Sequence, residues 1–397
     1  MTTNNNPVIL AGARTPFGKF GGSLASISAV ELGSIAMREA MQRSDIDKAD
    51  VNHTMMGCVV QAGMGMVPSR QASFKAGLSR EVTSDTINRV CGSGMRAVTL
   101  ASDLIRLGHH QLIVAGGMES MSNAPFYSFG ARWGLRMGNG ELVDGVIHDG
   151  LTDPLMKVHM GTHGSTVAAE EKCSREEQDA WAYRSHQRAL AAIDNATLAE
   201  EIVPVIIPDK KKGDITVDTD ESPRRETSLE ALAKLKPVFD PNGTVTAGNA
   251  PGLNDGAAAM TLASADYAKA HGLKPLARIL GYGVAAWDTP YLAYVPAMAG
   301  QDALKKLGMT PDDLDLVEIN EAFASVTLIS MARLGLHEDK VNVNGGAVAL
   351  GHPIGASGAR IILTLIHELR RRGGGIGMAA ICSGTAQGDA IILQVGD

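Results

Sequence analysis

The chain is short of several things, and each shortage excludes a class of protein. Only four of its 397 residues are cysteine: Cys58, Cys91, Cys173 and Cys382. They are scattered and contain no Cys-x-x-Cys pair, which excludes a disulfide framework and a zinc site and points to reduced thiols in a cytosol. No apolar run approaches the ~18 residues of a membrane-spanning helix. Met1 to Pro7 is polar and Asn-rich with no charged-then-apolar leader, and the chain ends Leu-Gln-Val-Gly-Asp without a Ser-Lys-Leu address. The expected location is therefore the cytoplasm. Positive charge is also scarce, with 36 Lys and Arg against 43 Asp and Glu and a net charge of −7. This argues against a nucleic-acid or membrane-surface partner, while leaving room for a local basic cluster that meets a phosphorylated substrate. Aromatic residues make up 4% of the chain, whereas glycine contributes 45 residues, so backbones pass close together and turns are sharp.

Strand and helix alternate along the first third. Val8 to Ala11, His53 to Val60, the stretch around Thr86, and Leu112 to Ala115 read as strands. Ala29 to Met41, Pro68 to Ala76 and the segment after Cys91 read as helices. Such alternation predicts a mainly parallel sheet with helices on both faces. From Ser120 to Thr246 the pattern changes. A Gly-, Met- and Asn-rich stretch precedes two helices, near His163 to Lys172 and from Arg175 to Ile193, the second opened by Ser174 with Glu177 three residues on. Val203 to Pro208 is extended, and Asp209 to Arg225 is charged. An insertion of this length carries a function such as a lid or binding surface. Beyond Asn254 the alternation resumes, with strands at Ala257 to Ala263, Leu276 to Gly283, Leu316 to Ile319, Ile376 to Ile381 and Ala390 to Val395. The intervening helices are Pro296 to Leu307, Glu321 to Leu334 and Ala359 to Arg372.

The two ends resemble each other. Ser93-Gly94-Met95-Arg96 opens one helix and Ser357-Gly358-Ala359-Arg360 another, and Val51 and Val317 lie at a nearly equal separation within similar acidic loop–strand segments. Similar offsets in the same order predict a duplicated half, with two helix N-termini facing one site.

The chemistry-bearing residues fall at the ends of these strands. Ile87 and Val90 suit a short strand and Gly92 and Gly94 a turn, so Cys91 sits at the start of a helix. There, unpaired N–H groups and the dipole are expected to lower its pKa. Gly351-His352-Pro353 fixes a histidine in a loop before a helix, Cys382-Ser383-Gly384 follows an apolar strand, and Asn320-Glu321-Ala322-Phe323 ends another. A thiolate that forms a thioester, a histidine that deprotonates it and a second acid–base group suit acyl transfer with a carbon–carbon bond change. Backbone N–H groups near Cys91 and Gly384 suit a developing oxyanion.

The stretches Asn88 to Gly94, Gly116 to Ser122, Asn320 to Phe323, Gly351 to Pro353 and Cys382-x-Gly384, in this order across nearly the whole chain, resemble the thiolases. His159-Met160-Gly161 and Thr244 to Ala250 point to the short-chain acetyl-CoA acetyltransferases among them. The resemblance implies an α/β fold of duplicated βαβαβαββ halves in a five-layered α-β-α-β-α core with a large inserted loop domain. The N-terminal half would comprise residues 1–119 and 247–274, the insertion 120–246 and the C-terminal half 275–397. It also implies reversible condensation of two acetyl-CoA to acetoacetyl-CoA and CoA, with no metal and no tightly bound cofactor, by a homotetramer. Cys91 would carry the acetyl group. His352 would activate it and, with a water held by Asn320, form one oxyanion hole. Cys382 would move the α-proton, and the N–H groups of Cys91 and Gly384 would form the second hole. Arg224 matches the position that meets the adenine nucleotide. Phe239, Ala247, Leu253, Leu292 and Phe323 match the pantetheine and acyl channel, and His159 and Met160 flank the acyl pocket.

The chain departs from the family pattern in two places. Cys382-Ser383-Gly384-Thr385-Ala386 keeps one glycine where the family has three, adding Cβ atoms beside the site. Pro251 stands where a serine commonly bonds pantetheine, and Ala231 likewise lacks a hydroxyl. Three other readings compete. Gly92-x-Gly94-x-x-Ala97 formally fits a dinucleotide fingerprint but sits too late in the chain, with no acidic partner. A non-catalytic acyl-CoA binder would not need Cys91, Asn320, His352 and Cys382 together. A 3-ketoacyl-CoA thiolase of longer chain length differs only in acyl range.

Overall fold

A computed structural model describes residues 5–208, 211 and 213–396. The readings of Met1 to Asn4, of Asp209, Lys210 and Lys212 within the charged segment, and of Asp397 lie outside the described residues. The elements that build the core are, in chain order, β1 (Pro7–Arg14), α1 (Ala29–Arg43), β2 (His53–Gly57), α2 (Pro68–Lys75), β3 (Thr83–Ile87), α3 (Ser93–Arg106) and β4 (Leu112–Ser120). The insertion contributes α4 (Met160–Glu170) and α5 (Arg175–Asp194). The chain then continues through β5 (Asn254–Ser264), β6 (Ala277–Ala286), α6 (Val295–Leu307), β7 (Leu316–Ile319) and α7 (Ala324–Leu334). It closes with α8 (Ile354–Arg371), β8 (Gly375–Ser383) and β9 (Gln387–Val395).

Local sequence accounts for the helix starts. Ser28 caps α1 and Ser174 caps α5, each with a glutamate at the third helical position closing a capping box. Strands β1, β4 and β5 are buried along their whole length, as strands covered on both faces must be.

The strands form one ladder in the order β7-β8-β9-β6-β1-β5-β4-β2-β3. The mainly parallel sheet expected from the alternation is not what forms. Only β2–β3, β2–β4 and β7–β8 are parallel, while β1–β5, β5–β4, β6–β9 and β8–β9 are antiparallel. The antiparallel pairs come from β5, which runs against both β1 and β4, and from β9, which runs against both β6 and β8. β1 and β6 meet at the centre through Val8–Arg278 and Ile9–Ala277 alone. On either side of that seam the order repeats: β1-β5-β4-β2 in one half matches β6-β9-β8-β7 in the other. The duplication read from the two Ser-Gly-x-Arg helix starts is therefore present in the topology.

Three apolar clusters stack the layers. α1 and α2 cover one face of the first half through Leu32, Ala36 and Met37. α6 and α7 cover the outer face of the second through Ala299, Ala303 and Met331. Between the two halves of the sheet lie α3 and α8, with Met95, Val98 and Ile105 against Ile362, Leu363 and Ile366. At the N-terminal ends of these helices the chains approach so closely that only glycine fits. A Cβ on Gly57 would lie 2.6 Å from Gly94 N, and one on Gly117 would lie 2.0 Å from Gly355 O.

Two buried polar knots fasten the insertion to this core. The guanidinium of Arg14 donates to Glu201 Oε1 at 2.6 Å and to both carboxylate oxygens of Asp220 at 2.7 and 2.8 Å. Removing one partner of such a buried pair costs about 3–5 kcal/mol. The second knot shows why α7 starts at Ala324 and not at Glu321. The Glu321 carboxylate is turned inward, accepting from Trp181 Nε1 (2.9 Å), Ser185 Oγ (2.8 Å), Asn342 Nδ2 (3.0 Å) and Val348 N (3.0 Å). Helix α5 is thereby tied to the loop leading to His352. Among the described residues, no helix is long and apolar enough to cross a membrane.

Candidate active site

Cys91 closes a tight turn. The Asn88 side chain accepts from Val90 N (3.0 Å), the Ser93 hydroxyl accepts from Arg89 N (2.8 Å) and donates to Val90 O (2.6 Å), and Val90 is forced to φ +47°. A β-branched residue in the left-handed region is strained, and here the surrounding bonds hold it there. The turn is locked to the second half of the molecule as well, because Gly92 N donates to Ser383 Oγ (2.9 Å) and Arg89 Nε lies 2.8 Å from Asp389.

His352 comes from the other half. Its backbone N–H donates to Asn254 Oδ1 (2.9 Å), and its ring Nδ1 lies 2.6 Å from Ser357 Oγ. The Ser357 hydroxyl is within donating distance of Pro353 O at 3.0 Å. With its one proton used there, Ser357 accepts from Nδ1–H, which leaves Nε2 as the basic nitrogen. Asn320 Nδ2 approaches Nε2 at 3.5 Å from behind.

Both halves open onto one cavity of about 330 Å³, lined among others by Cys91, His352, Cys382 and Gly384. It is an apolar chamber, walled by Leu151, Met160, Phe239, Leu292 and Phe323. Burial dominates its titrations. It pushes the Cys91 thiol up to about 12, although the backbone N–H groups of Cys91 and Gly384 act in the opposite direction. The expected lowering by the helix end is therefore overturned: the chamber takes more from the thiolate than the N–H groups return. Burial also holds His352 down to about 3, so the imidazole is neutral, and raises Cys382 well above its ordinary value, with Cys91 as a second, electrostatic cause.

The chamber collects most of the residues singled out in the sequence. His159, Met160, Phe239, Ala247, Pro251, Leu253, Leu292 and Phe323 line it with the four catalytic candidates. His159 stacks on Phe239 with ring centroids 4.0 Å apart. Two candidates lie elsewhere. Asn320 is fully buried behind His352 and does not line the chamber. Arg224 lies in an adjoining depression with Arg225 and Ala231, and its guanidinium reaches the carbonyl of Ala247 at 3.4 Å. Ala247 thus joins the depression to the chamber.

Sequence reasoning missed Met121, Ile147 and Val238, which line the chamber. It also missed Glu119, whose buried carboxylate accepts from Val59 N (3.0 Å), Val60 N (3.2 Å) and Gly355 N (3.0 Å). Burial raises Glu119 to about 7 against those hydrogen bonds. A buried acid in the motif Gly116 to Ser122 was the available signal. The hairpin turn after Cys382 also shows what its missing glycines mean. Thr385 and Ala386 adopt φ +61° and +47°, the left-handed region that glycine enters freely.

A thiol just before one helix shares the apolar chamber with an imidazole just before another and with a second thiol near a strand end of the other half. This constellation on a duplicated five-layered scaffold defines an acyl-transfer class, and the chain belongs to the thiolase family. The thiolase N-terminal domain matches residues 7–266 and the C-terminal domain residues 273–395. Among relatives, the acetyl-CoA acetyltransferase of Pseudomonas aeruginosa is 49% identical over 386 residues, covering 97% of this chain and 98% of that one. The acetyl-CoA acetyltransferase of Escherichia coli K12 is 46% identical over 390 residues, covering 98% and 99%. The crystal structure of the Bacillus anthracis acetyl-CoA acetyltransferase superposes with a TM-score of 0.97 at 42% identity over the full length of both chains.

Proposed function

We propose that the protein is an acetyl-CoA C-acetyltransferase, an acyltransferase that joins two acetyl-CoA into acetoacetyl-CoA and CoA and runs the reverse thiolysis. The observation that carries this reading is the convergence of Cys91, His352, Cys382 and Gly384 on one apolar chamber. His352 Nε2 takes the proton of Cys91 Sγ as the sulfur attacks the thioester carbon, and returns it to the departing CoA sulfur. The result is an S-acetyl group on Cys91. A general base is required because the buried thiol, near 12, does not ionise by itself. His352 then takes the Cys382 proton, and the Cys382 thiolate removes the α-proton of a second acetyl-CoA. The carbanion attacks the acetyl carbon, the oxyanion that forms faces the N–H groups of Cys91 and Gly384, and the Cys91 sulfur leaves and takes the proton back from His352.

Burial is the larger obstacle to ionisation of Cys382 and charge on Cys91 the smaller, so Cys382 needs a proton acceptor before it acts as a base. Asn320 orients His352, and a water on Asn320 completes the first oxyanion hole.

The insertion, residues 120–246, binds the CoA moiety with Arg224 at the adenine nucleotide and Phe239, His159 and Met160 along the pantetheine and acyl path, which Ala247, Pro251, Leu253, Leu292 and Phe323 of the two halves complete. We further propose a cytoplasmic homotetramer acting in fatty acid metabolism. The exposed Phe126, Phe129, Trp133, Met137 and Leu142 of the insertion support assembly through that surface.

The test is conversion of acetoacetyl-CoA and CoA to acetyl-CoA. Wild type is expected to accumulate acetyl-Cys91, seen by mass spectrometry of the peptide, and Cys91→Ala to lose the reaction. Full activity in Cys91→Ala would overturn the mechanism. Equal rates from acetoacetyl-CoA through long-chain 3-ketoacyl-CoA would instead assign a broader thiolase.

A further inference from the structure

Helix α8 lacks a cap of its own. Helices α1 and α5 each begin on a serine whose hydroxyl accepts an N–H of the first turn. α8 begins after Pro353, which offers no side-chain acceptor, so its first N–H groups and the positive end of its dipole need partners from elsewhere. One partner comes from the opposite half of the molecule. Glu119, near the end of β4, is fully buried, and its Oε2 accepts from Gly355 N at 3.0 Å.

The same oxygen accepts from Val59 N at 3.0 Å, while Oε1 accepts from Val60 N at 3.2 Å and faces the Cys58 thiol at 3.8 Å. A single carboxylate oxygen thus joins the loop after β2, in the half that carries Cys91, to the helix start in the half that carries His352. Bare glycine backbones make this approach possible. A Cβ on Gly355 would lie 2.8 Å from Glu119 Oε2 and 2.8 Å from Met118 O, and one on Gly57 would lie 2.8 Å from Gly355 O. The carboxylate satisfies the three N–H groups left between the halves, and they in turn oppose the burial that works against its charge.

The imidazole of the active site stands at the foot of this helix. His352 lies three residues before Gly355, and its Nδ1 rests on Ser357 Oγ, in the first turns of α8, at 2.6 Å. A shift of the helix start is therefore a shift of Nε2.

We propose that Glu119 is a positioning residue for His352: it caps α8 from the other half and so holds the imidazole in register with Cys91. The proposal rests on the reading of His352 as the base for Cys91. A carboxylate suits this end of a helix twice over, as an acceptor and as an anion. Two other roles give different results: space filling, and a direct action on Cys91, whose ionisation the Glu119 charge opposes.

The test compares wild type with Glu119→Gln, which keeps the shape and one acceptor oxygen, Glu119→Leu, which keeps the bulk alone, and Ser357→Ala. Each is assayed for thiolysis of acetoacetyl-CoA and for alkylation of Cys91 by iodoacetamide, read from the mass of the peptide. In Glu119→Gln, kcat is expected to fall ~10-fold with KM for CoA near that of wild type, and in Glu119→Leu to fall further. Adding Ser357→Ala to Glu119→Gln is expected to cost no more than ~2-fold beyond the slower single variant, because both act through one ring. Alkylation should slow in Glu119→Gln as in His352→Asn, although loss of the charge by itself speeds it. An unchanged kcat in Glu119→Gln, or equal kcat in the Gln and Leu variants, would overturn the proposal. So would unchanged or faster alkylation in Glu119→Gln, or losses that multiply in the double variant. Alkylation needs no substrate, so a wild type without thiolysis but with slower alkylation in Glu119→Gln would refute the acetyltransferase reading and leave the positioning role standing. Where Glu119→Leu does not fold, Glu119→Gln carries the test.

Discussion

Replacing Gly117 with alanine probes how closely the histidine must be held. In β4, a Cβ at this position would stand 2.0 Å from Gly355 O and 2.9 Å from Ala356 Cα, whereas real Cβ contacts essentially never fall below 3.0 Å. Both obstacles are backbone, so no side chain can swing aside. The start of α8 must back away by about 1 Å, a displacement large enough in catalytic sites to cost ~10²-fold in rate. Gly355 N is also bonded to Glu119, and His352 lies three residues ahead on the same turn, so the histidine moves with the helix. Overpacking of this kind costs about 1–3 kcal/mol, which a domain of this size survives. The assay is the thiolysis rate at saturating acetoacetyl-CoA, with KM for CoA and the urea midpoint recorded on the same sample. The expected outcome is a folded enzyme with a lower midpoint, KM near wild type and kcat down by ~10²-fold. A folded variant with an unchanged kcat would show that the α8 contact does not set the position of His352.

Three further changes follow from the site. Thr385→Gly combined with Ala386→Gly relieves two left-handed residues, each strained by roughly 1 kcal/mol, and after the unfolded-state entropy of glycine a net gain of ~0.5 kcal/mol is expected in urea; a lower midpoint would count against strain in this turn. Pro251→Ser restores a hydroxyl and an N–H in the chamber wall, and one added hydrogen bond of about 1 kcal/mol lowers KM for CoA several-fold; an unchanged KM would remove position 251 from the CoA path. Folded His352 stays neutral to about pH 3 while the unfolded chain binds its proton near 6.5, so its contribution to stability is present above pH 6.5 and lost as pH falls toward 3. His352→Asn should flatten that acid slope without abolishing it, since His159 and His186 are also held down to about 4. An identical slope in the variant would place the acid lability elsewhere.

Much of this architecture was legible in the chain. The Ser-Gly-x-Arg helix starts exposed the duplication, because they recur in the same order at nearly the separation of Val51 and Val317. Cys91 and Cys382 were legible because each sits where a strand gives way to a turn, and His352 because a glycine and a proline fix its loop before a helix. Strand direction was not. Nothing in the alternation of Ala257 to Ala263 says which way that strand runs, so an antiparallel return was read as one more parallel step. The ionisation of Cys91 was misjudged for a related reason. A helix end is written in local sequence, but the chamber that desolvates the thiol is assembled from Met160, Phe239 and Leu292, far away in the chain. Glu119 was missed because its partners, Val59 and Gly355, come from both halves and carry no side-chain signature.

The shared helical layer has a consequence for synthesis. Met95, Val98, Ala101 and Ile105 of α3 and Ile113 of β4 are fully covered only when α8 packs on them. On the ribosome these residues emerge early, and their cover is among the last segments to be made. For most of translation the growing chain carries a completed apolar face with nothing over it, a state open to aggregation and to chaperones. Any message truncated before residue 354 leaves that face without the helix that covers it.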